Sequence, residues 1–248
     1  MTTGASILDP GDGPRLAYRF RKGRSPTLVF LPGYASDMEG TKALALDAFA
    51  ERSGFAILRF DYSGTGASEG RFEDGTLERW LREAALLLDR LTEGPVILVG
   101  SSMGGWIALH LALGRPERVA ALVGIAAAPD FTDWGYSDSE KQTLAEGGRL
   151  EQVNPYGGEP QLTTLGFWQS GERLKLLEGE VAIDCPVRLI HGDADEEVPL
   201  DVAMRLKDRL RSGDVQMLVV KGGGHRLSAP HEIDAILRTV AALLESEC

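Results

Sequence analysis

The sequence predicts an α/β fold in which a mostly parallel central sheet is flanked by helices. Short apolar runs typical of buried strands alternate along the chain with segments in which apolar residues recur every three or four positions. Such alternation specifies right-handed crossovers that return each helix to a face of the sheet. A chain of 248 residues is long enough to bury one core of this kind. We therefore expect a single domain over residues 1–248.

The predicted strands are short and mainly aliphatic or aromatic, as expected for strands that are buried on both faces of a parallel sheet. They cover residues 27–31, 55–60, 96–99, 121–125, 187–190 and 215–220, with an antiparallel edge strand near 15–20. The predicted helices each carry one apolar stripe. They cover residues 41–52, 77–91, 103–113, 202–210 and 233–244.

The alternation stops between Pro129 and Asp184, a stretch with no clear strand that is longer than the usual connections of compact α/β units. Residues 130–180 contain ten acidic and four basic residues. We expect a lid insertion at about 130–184, whose charge disfavours polyanionic substrates such as coenzyme A thioesters. Its aromatic residues indicate an apolar acyl or aryl pocket; they are Phe131, Trp134, Tyr136, Tyr156, Phe167 and Trp168.

The charge balance limits the partners of the protein. There are 26 basic and 37 acidic residues, so the formal net charge is -11 and most of the surface repels a phosphate backbone. We expect no nucleic-acid partner. The sequence contains no apolar run of membrane-spanning length and no basic-then-apolar leader, so we expect a soluble, cytoplasmic protein. Its two cysteines, Cys185 and Cys248, lack the CxxC spacing of metal or redox sites.

The segment "VGSSMGG", residues 99–105, lies where a predicted strand passes into a predicted helix. A nucleophile elbow has small residues two positions before and after its serine, because the turn is too tight for larger side chains there. Gly100 and Gly104 occupy those positions around Ser102. Around the adjacent Ser101 the same positions hold a valine and a methionine. The spacing therefore predicts Ser102 as a nucleophile.

A serine hydroxyl is a weak nucleophile. A base must take its proton, and an acid must hold that base in the right tautomer. "VRLIHGDADEEVP" follows a predicted strand and offers Asp193 and Asp195, and "VVKGGGHRLS" follows the next strand and contains His225. Loops at the carboxyl ends of parallel strands meet at one edge of the sheet. The chain order nucleophile, acid, histidine therefore predicts a triad with His225 as base and either aspartate as acid.

An oxyanion formed at the serine needs backbone N–H donors. Met103 follows the predicted nucleophile at a helix N-terminus, where N–H groups lack intrahelical partners. The second donor is expected in the loop after the first core strand, here "LPGYAS", residues 31–36. We predict the N–H groups of Tyr34 and Met103 as the oxyanion hole, with the Tyr34 ring as a pocket wall or gate.

Two further segments contain residues typical of ligand sites but lack the full patterns. "HGDADEE", residues 191–197, is rich in carboxylates without the regular oxygen spacing of a calcium loop. "FDYSGTGASEG", residues 60–70, contains Gly64 and Gly66, but Glu69 stands where a dinucleotide fingerprint has its third glycine. We therefore expect no metal ion and no nucleotide or other cofactor.

Together these motifs resemble those of the α/β-hydrolase superfamily along nearly the whole chain. Within it, "LPGYASDMEGTKA", "LRFDYSGTGASEG", "GSSMGGW" and "HGDADEEVP" are similar to mitochondrial α/β-hydrolase-domain proteins described as acyl-protein thioesterases and acyl-glucuronide esterases. The resemblance implies the α/β-hydrolase fold and selects Asp195 over Asp193 as the acid. It places the family's nucleophile, acid, base and two oxyanion donors on Ser102, Asp195, His225, Tyr34 and Met103.

These observations lead us to expect a serine hydrolase that cleaves carboxylic esters or thioesters through an acyl-enzyme, with a small-molecule or acylated substrate. Amidases, perhydrolases and carbon–carbon bond hydrolases use the same triad, so the sequence leaves these activities open. A catalytically silent binding protein of the same fold is a further alternative, because a fold alone does not determine a function. The oligomeric state is not indicated by the sequence.

Overall fold

The computed structural model describes residues 4–153, 157 and 160–246, so Tyr156 and Cys248 lie outside the described residues. The strands are β1 (Ser6–Leu8), β2 (Leu16–Arg21), β3 (Arg24–Leu31), β4 (Phe55–Phe60), β5 (Val96–Ser101), β6 (Val119–Ile125), β7 (Arg149–Gln152), β8 (Gln161–Thr164), β9 (Val187–Gly192) and β10 (Val215–Val220). The helices are α1 (Thr41–Ser53), α2 (Leu77–Leu91), α3 (Met103–Gly114), α4 (Phe131–Trp134), α5 (Asp138–Ala145), α6 (Leu165–Arg173), α7 (Leu200–Arg209) and α8 (Pro230–Ser246).

The central sheet has eight strands in the order β1-β2-β4-β3-β5-β6-β9-β10. The pairs β1-β2 and β2-β4 are antiparallel, and the remaining pairs are parallel. The predicted fold class is therefore confirmed. The strand predicted near 15–20 is present and antiparallel as β2, but the edge of the sheet is β1, which was not predicted. The carboxyl ends of β3, β5, β9 and β10 meet at one edge of the sheet, and the loops that follow these strands carry the predicted site residues.

The helices cover both faces of the sheet because successive strand residues point to opposite sides. In β4, Leu58 and Phe60 pack in the cluster that contains the apolar stripes of α2, α3 and α7. Ile57 directly precedes Leu58 in the chain and packs on the other face with residues of α1 and α8. The two buried clusters fix the sheet between its helix layers, so the loops at its edge start from a rigid base.

Residues 130–184, called the 130–184 segment below, differ from the sequence prediction in that they contain strands. An antiparallel hairpin of β7 and β8 joins α4, α5 and α6 within this segment. Each of these strands has four residues, with the sequences RLEQ and QLTT, and most of their side chains are half-buried or exposed. Strands this short and polar lack the apolar run or alternation on which strand prediction depends.

None of the helices in the described part of the chain combines the length and the apolar composition that crossing a membrane requires.

Candidate active site

Ser102 occupies a sharp turn between β5 and α3. Its backbone angles are φ 53° and ψ -120°, in a region that residues with side chains rarely adopt. A Cβ added at Gly100 would lie 2.3 Å from the carbonyl oxygen of Gly104, and one added at Gly104 would lie 2.1 Å from that of Leu31. Both glycines are therefore required for the close approach that presents the serine at the sheet edge.

A continuous chain of hydrogen bonds links Ser102, His225 and Asp195. Ser102 Oγ lies 3.0 Å from His225 Nε2, and His225 Nδ1 lies 2.9 Å from Asp195 Oδ2. The side chain of Asp195 has no exposed surface. Its Oδ1 accepts the backbone N–H groups of Glu197 at 3.0 Å and of Val198 at 2.9 Å. This arrangement orients the imidazole between a hydroxyl and a carboxylate.

The surroundings of Asp195 favour its ionised form. Burial by itself raises the pKa of this carboxyl. The hydrogen bond and charge of His225, together with the backbone N–H donors of Val198 and Glu197, lower the pKa by more than burial raises it. The pKa of Asp195 is therefore lower than its ordinary value. An ionised carboxylate at this position can stabilise a positive charge on His225 when the imidazole takes up a proton.

Asp193, the other candidate acid, points elsewhere. Its Oδ1 accepts the backbone N–H of Gly222 at 2.6 Å, and the residue is exposed. The preceding His191 is buried, with Nε2 2.8 Å from the carbonyl oxygen of Val198 and 3.5 Å from Asp195 Oδ2. The geometry thus separates two aspartates that the sequence motif alone left as alternatives.

The predicted oxyanion donors lie on two segments that meet at Ser102. A Cβ added at Gly33 would lie 3.4 Å from the Ser102 Cβ, so the loop after β3 packs directly against the serine and is followed at once by Tyr34. Met103 is the first residue of α3, where the backbone N–H has no acceptor within the helix. The positive end of the α3 dipole also lies at this point. An oxyanion on a substrate carbonyl would be stabilised there.

The side chain of Tyr34 is packed into the 130–184 segment. Its hydroxyl donates to the carbonyl oxygen of Leu162, and its ring lies 4.7 Å from the Phe167 ring and 6.1 Å from the Phe131 ring, measured between centroids. Burial raises the pKa of Tyr34 well above its ordinary value, so the phenol stays neutral. Tyr34 therefore connects the loop beside Ser102 to the 130–184 segment.

A cavity of about 630 Å³ opens beside Ser102 and His225. Part of its wall comes from the 130–184 segment and combines aromatic with polar groups: Phe131, Trp134, Tyr136, Gln152, Gln161 and Thr163. Another part comes from α1, the loop before it and the loop after β10: Ser36, Thr41, Lys42, Arg226 and Ser228. Sequence reasoning missed these polar residues, because isolated glutamines and lysines are ordinary on protein surfaces.

The expectation of an apolar pocket is only partly met. Phe131, Trp134 and Tyr136 line the cavity, but the Tyr136 hydroxyl lies 2.9 Å from Thr163 Oγ1, so this wall is also polar. Phe167 is instead buried against Trp80, and the Trp168 indole donates to the carbonyl oxygen of Thr132. Phe167 therefore holds the 130–184 segment to the core, and Trp168 joins two parts of that segment.

The 60–70 and 191–197 loops, which contain residues typical of ligand sites, are braced by their own side chains. Asp61 at the start of the 60–70 loop accepts the backbone N–H groups of Met38 at 2.7 Å and Ala67 at 2.8 Å. In the 191–197 loop, the two aspartates bind His225 and Gly222 as described above. Among residues 4–153, 157 and 160–246, no three His, Cys, Asp or Glu side chains are grouped so that they could hold a metal ion.

Comparison with known proteins relates the whole chain to one group of hydrolases. Residues 26–146 match the family model described as alpha/beta hydrolase fold. The chain is 39% identical over 247 residues to palmitoyl-protein thioesterase ABHD10, mitochondrial, of Homo sapiens, covering 98% of this chain and 81% of that protein. The corresponding protein of Mus musculus is 38% identical over 244 residues, covering 97% of this chain and 82% of that protein.

Solved structures give the same relationship. Alpha/beta hydrolase domain-containing protein 10 from mouse superposes with a TM-score of 0.93 at 36% identity, covering 99% of this chain and all of that chain. A putative hydrolase from Agrobacterium vitis S4 superposes with a TM-score of 0.89 at 40% identity, covering 96% of each chain.

The expectation of a cytoplasmic protein is wrong by this comparison, because the names of the relatives place them in the mitochondrion. The expectation depended on the lack of a long apolar run and of a basic-then-apolar leader. Net charge and hydropathy constrain whether a chain binds a nucleic acid or spans a membrane. They carry no information on the compartment in which a folded hydrolase acts.

Proposed function

The chain belongs to the alpha/beta hydrolase family and is a hydrolase, and on this premise we propose that it is a serine hydrolase that cleaves carboxylic esters or thioesters. The observation that carries this proposal is the chain of hydrogen bonds from Ser102 Oγ through His225 to Asp195, at 3.0 Å and 2.9 Å. Nucleophile, base and orienting acid lie at the distances that acyl transfer requires.

In the first step, His225 Nε2 takes the proton of the Ser102 hydroxyl while Oγ attacks the acyl carbon of the substrate. The carbonyl oxygen becomes an oxyanion, which accepts hydrogen bonds from the backbone N–H groups of Tyr34 and Met103. His225 then gives its proton to the departing alcohol or thiol. The acyl group remains bound to Ser102 as an ester.

In the second step, water replaces the leaving group. His225 Nε2 takes a proton from this water, and the hydroxide attacks the acyl carbon of the acyl-enzyme. The second oxyanion forms in the same place as the first, and Ser102 Oγ leaves with the proton that His225 returns. Asp195 stays ionised throughout, consistent with its lowered pKa, and holds the imidazole in one orientation.

The 130–184 segment is a lid in this proposal, and its aromatic wall accepts the acyl group. The side chains of Phe131 and Trp134 line the cavity beside Ser102 and provide apolar surface for an acyl chain. The relatives are named palmitoyl-protein thioesterases, and this name supports an acyl thioester as one substrate class. Each CH₂ group that the cavity buries adds about 0.8 kcal/mol of binding free energy.

A graded series of p-nitrophenyl esters and matching acyl thioesters tests this proposal, with Ser102→Ala as the blank. We expect kcat/KM to rise with acyl length until the chain outgrows the cavity. Hydrolysis of the esters and thioesters at the level of the blank would reject the proposed activity. Turnover that persists in Ser102→Ala would reject the assignment of the nucleophile.

A further inference from the structure

Lys42 is a cation in the wall of the cavity that contains Ser102. It is the second residue of α1 and is half-buried. Its Nζ donates to the carbonyl oxygen of Arg226 at 2.5 Å, and Arg226 directly follows His225 in the chain. Arg226 lines the same part of the wall. Two basic residues from different elements therefore meet beside the catalytic histidine.

The surroundings of Lys42 do not neutralise its charge. Within the described residues, no salt bridge joins its Nζ to a carboxylate, and its hydrogen bond goes to a neutral carbonyl group. Burial, and then the charge of Arg226, lower the pKa of Lys42 to about 8, against an opposing effect of Glu232 on α8. A half-buried ammonium group of this kind is stabilised when an anion binds to it.

The other charged residues of the wall limit the charge that such an anion can carry. Asp37, Glu196 and Glu197 also line the cavity. The carboxylate of Asp37 accepts the backbone N–H of Glu39 at 2.8 Å. Three carboxylates near one ammonium and one guanidinium repel a dianion such as a phosphate monoester more strongly than a single carboxylate. Hydroxyl donors for a carboxylate are available in the same wall on Ser36 and Thr41, whereas the Ser228 hydroxyl donates to the carbonyl oxygen of Arg226 at 3.0 Å.

We propose that Lys42 binds a carboxylate on the leaving group of the substrate, so that the preferred substrates are acidic esters or thioesters. This inference rests on the proposed function, because it assigns the two parts of one cavity to the two halves of one substrate. The acyl group faces Phe131 and Trp134, and the acidic leaving group faces Lys42. Lys42 is then a specificity-determining residue of the hydrolase.

A matched pair of esters tests the inference. The acetate esters of 4-hydroxybenzoate and of 4-hydroxybenzamide differ only in a carboxylate and a neutral amide of similar shape. We would measure kcat/KM for both in the wild type, Lys42→Met, Lys42→Arg and Lys221→Met. Lys221 is exposed and does not line the cavity, so its variant controls for the loss of one positive charge.

The expected result is a fall of about tenfold in the carboxylate-to-amide ratio of kcat/KM in Lys42→Met, the effect of losing one charged hydrogen bond. Lys221→Met should keep the wild-type ratio, and Lys42→Arg should keep most of it. An equal loss for both esters in Lys42→Met would show that Lys42 only positions the loop after His225, and would overturn the inference. An unchanged ratio would also overturn it.

Product inhibition gives a second measurement that needs no variant. In the wild type, 4-hydroxybenzoate should inhibit hydrolysis of the amide ester more strongly than 4-hydroxybenzamide does, and equal inhibition would count against the inference. If turnover of the amide ester depends on Ser102 but the carboxylate ester is not preferred, the proposed function is supported and only the inference about Lys42 is rejected. Absence of turnover with both esters and with the acyl series would remove both.

Discussion

The sheet edge that carries Ser102 and the 130–184 segment above it are held in place by different contacts. At the edge, backbone atoms pack so closely that side chains are excluded, as at Gly100 and Gly104. The 130–184 segment is held by side chains that bind backbone groups. The Trp134 indole donates to the carbonyl oxygen of Pro129 at 2.8 Å, and the carboxylate of Asp130 accepts two backbone N–H groups.

This difference separates the placement of the reacting groups from the shape of the cavity. Contacts between backbone atoms leave little freedom, because the interior is close-packed and each substitution there moves the chain. Contacts made by side chains can be replaced by other side chains without moving the sheet. Chemistry and substrate choice therefore depend on different residues, and variants in the two regions should fail in different ways.

The largest effect is expected at the sheet edge. Ser102→Ala and His225→Ala should each lower kcat by about 10⁶-fold, because the members of a triad act as a unit. Neither residue belongs to the two buried apolar clusters, so the melting temperature should stay near that of the wild type. Steady-state kinetics on the purified variants, with thermal denaturation as the control for folding, make this measurement. Activity retained in either folded variant would contradict the proposed mechanism.

The two aspartates of the same loop provide a matched pair. Asp195→Asn should lower kcat by about 10⁴-fold, because an amide cannot hold His225 in the required tautomer. Asp193→Asn should leave kcat within a few fold of the wild type, because Asp193 binds only the backbone N–H of Gly222. Kinetics on both variants compare them directly. The opposite ranking would mean that the acid is Asp193.

A methyl group at Gly104 tests the close packing of the edge. Gly104→Ala would place a Cβ 2.1 Å from the carbonyl oxygen of Leu31 and 2.6 Å from that of Pro32, so the loop that carries Tyr34 must move. We expect a loss of about 3 kcal/mol in the free energy of unfolding, together with a lower kcat. Gly114→Ala on the same helix meets no atom within 4 Å, so it serves as the control. Urea denaturation of both variants decides the point.

In the 130–184 segment, Asp130→Ala should affect stability more than catalysis. It removes the carboxylate that accepts the N–H groups of Leu176 and Leu177, each at 2.8 Å, and leaves both donors without this partner. We expect a loss of about 2 kcal/mol in the free energy of unfolding. Asp133→Ala, whose side chain is half exposed and ion-paired only with Lys141, is the control. Equal free energies of unfolding for the two variants would show that Asp130 stabilises the fold no more than Asp133 does.

The smallest effect concerns pH. The Lys42 ammonium is charged below its pKa of about 8 and neutral above it. The preference for a carboxylate ester over its amide analogue should therefore fall as the pH rises from 7 to 9, by at most the roughly tenfold effect of one charged hydrogen bond. In Lys42→Arg the same ratio should stay constant over this range, because a guanidinium remains charged. A constant ratio in the wild type would argue against Lys42 as the anion-binding group.

The central sheet was largely predictable from sequence because its signals are periodic. The predicted bounds of β4 and α2 agree with the structure at both ends, since β4 is apolar except for Arg59 and α2 carries one apolar stripe. The candidate nucleophile was selected by local spacing alone. The acid was not, because Asp193 and Asp195 share one loop. The family resemblance selected Asp195, and the orientation of the loop in the structure points the two carboxylates to different partners.

The cavity was much less predictable. Gln152 and Gln161 lie in the short, polar strands β7 and β8, which no periodic signal marks. Lys42 looked like an ordinary surface lysine on an amphipathic helix, and its place in the wall depends on the loop after β10, which is distant in sequence. Residues of this kind are brought together by tertiary packing, so a pattern in one segment does not reveal them.

The carboxylate of Asp130 also bears on protein engineering. It joins the start of the 130–184 segment to Leu176 and Leu177, so the two ends of most of this segment are held together at one point. Once the ends of a loop are held, doubling its length changes the closure free energy by only about 0.6 kcal/mol. The residues between Asp130 and Leu176 can therefore be varied if Phe167, which packs on Trp80, and the contact of Leu162 with Tyr34 are kept. Libraries made in this way should change the substrate range of the proposed active site.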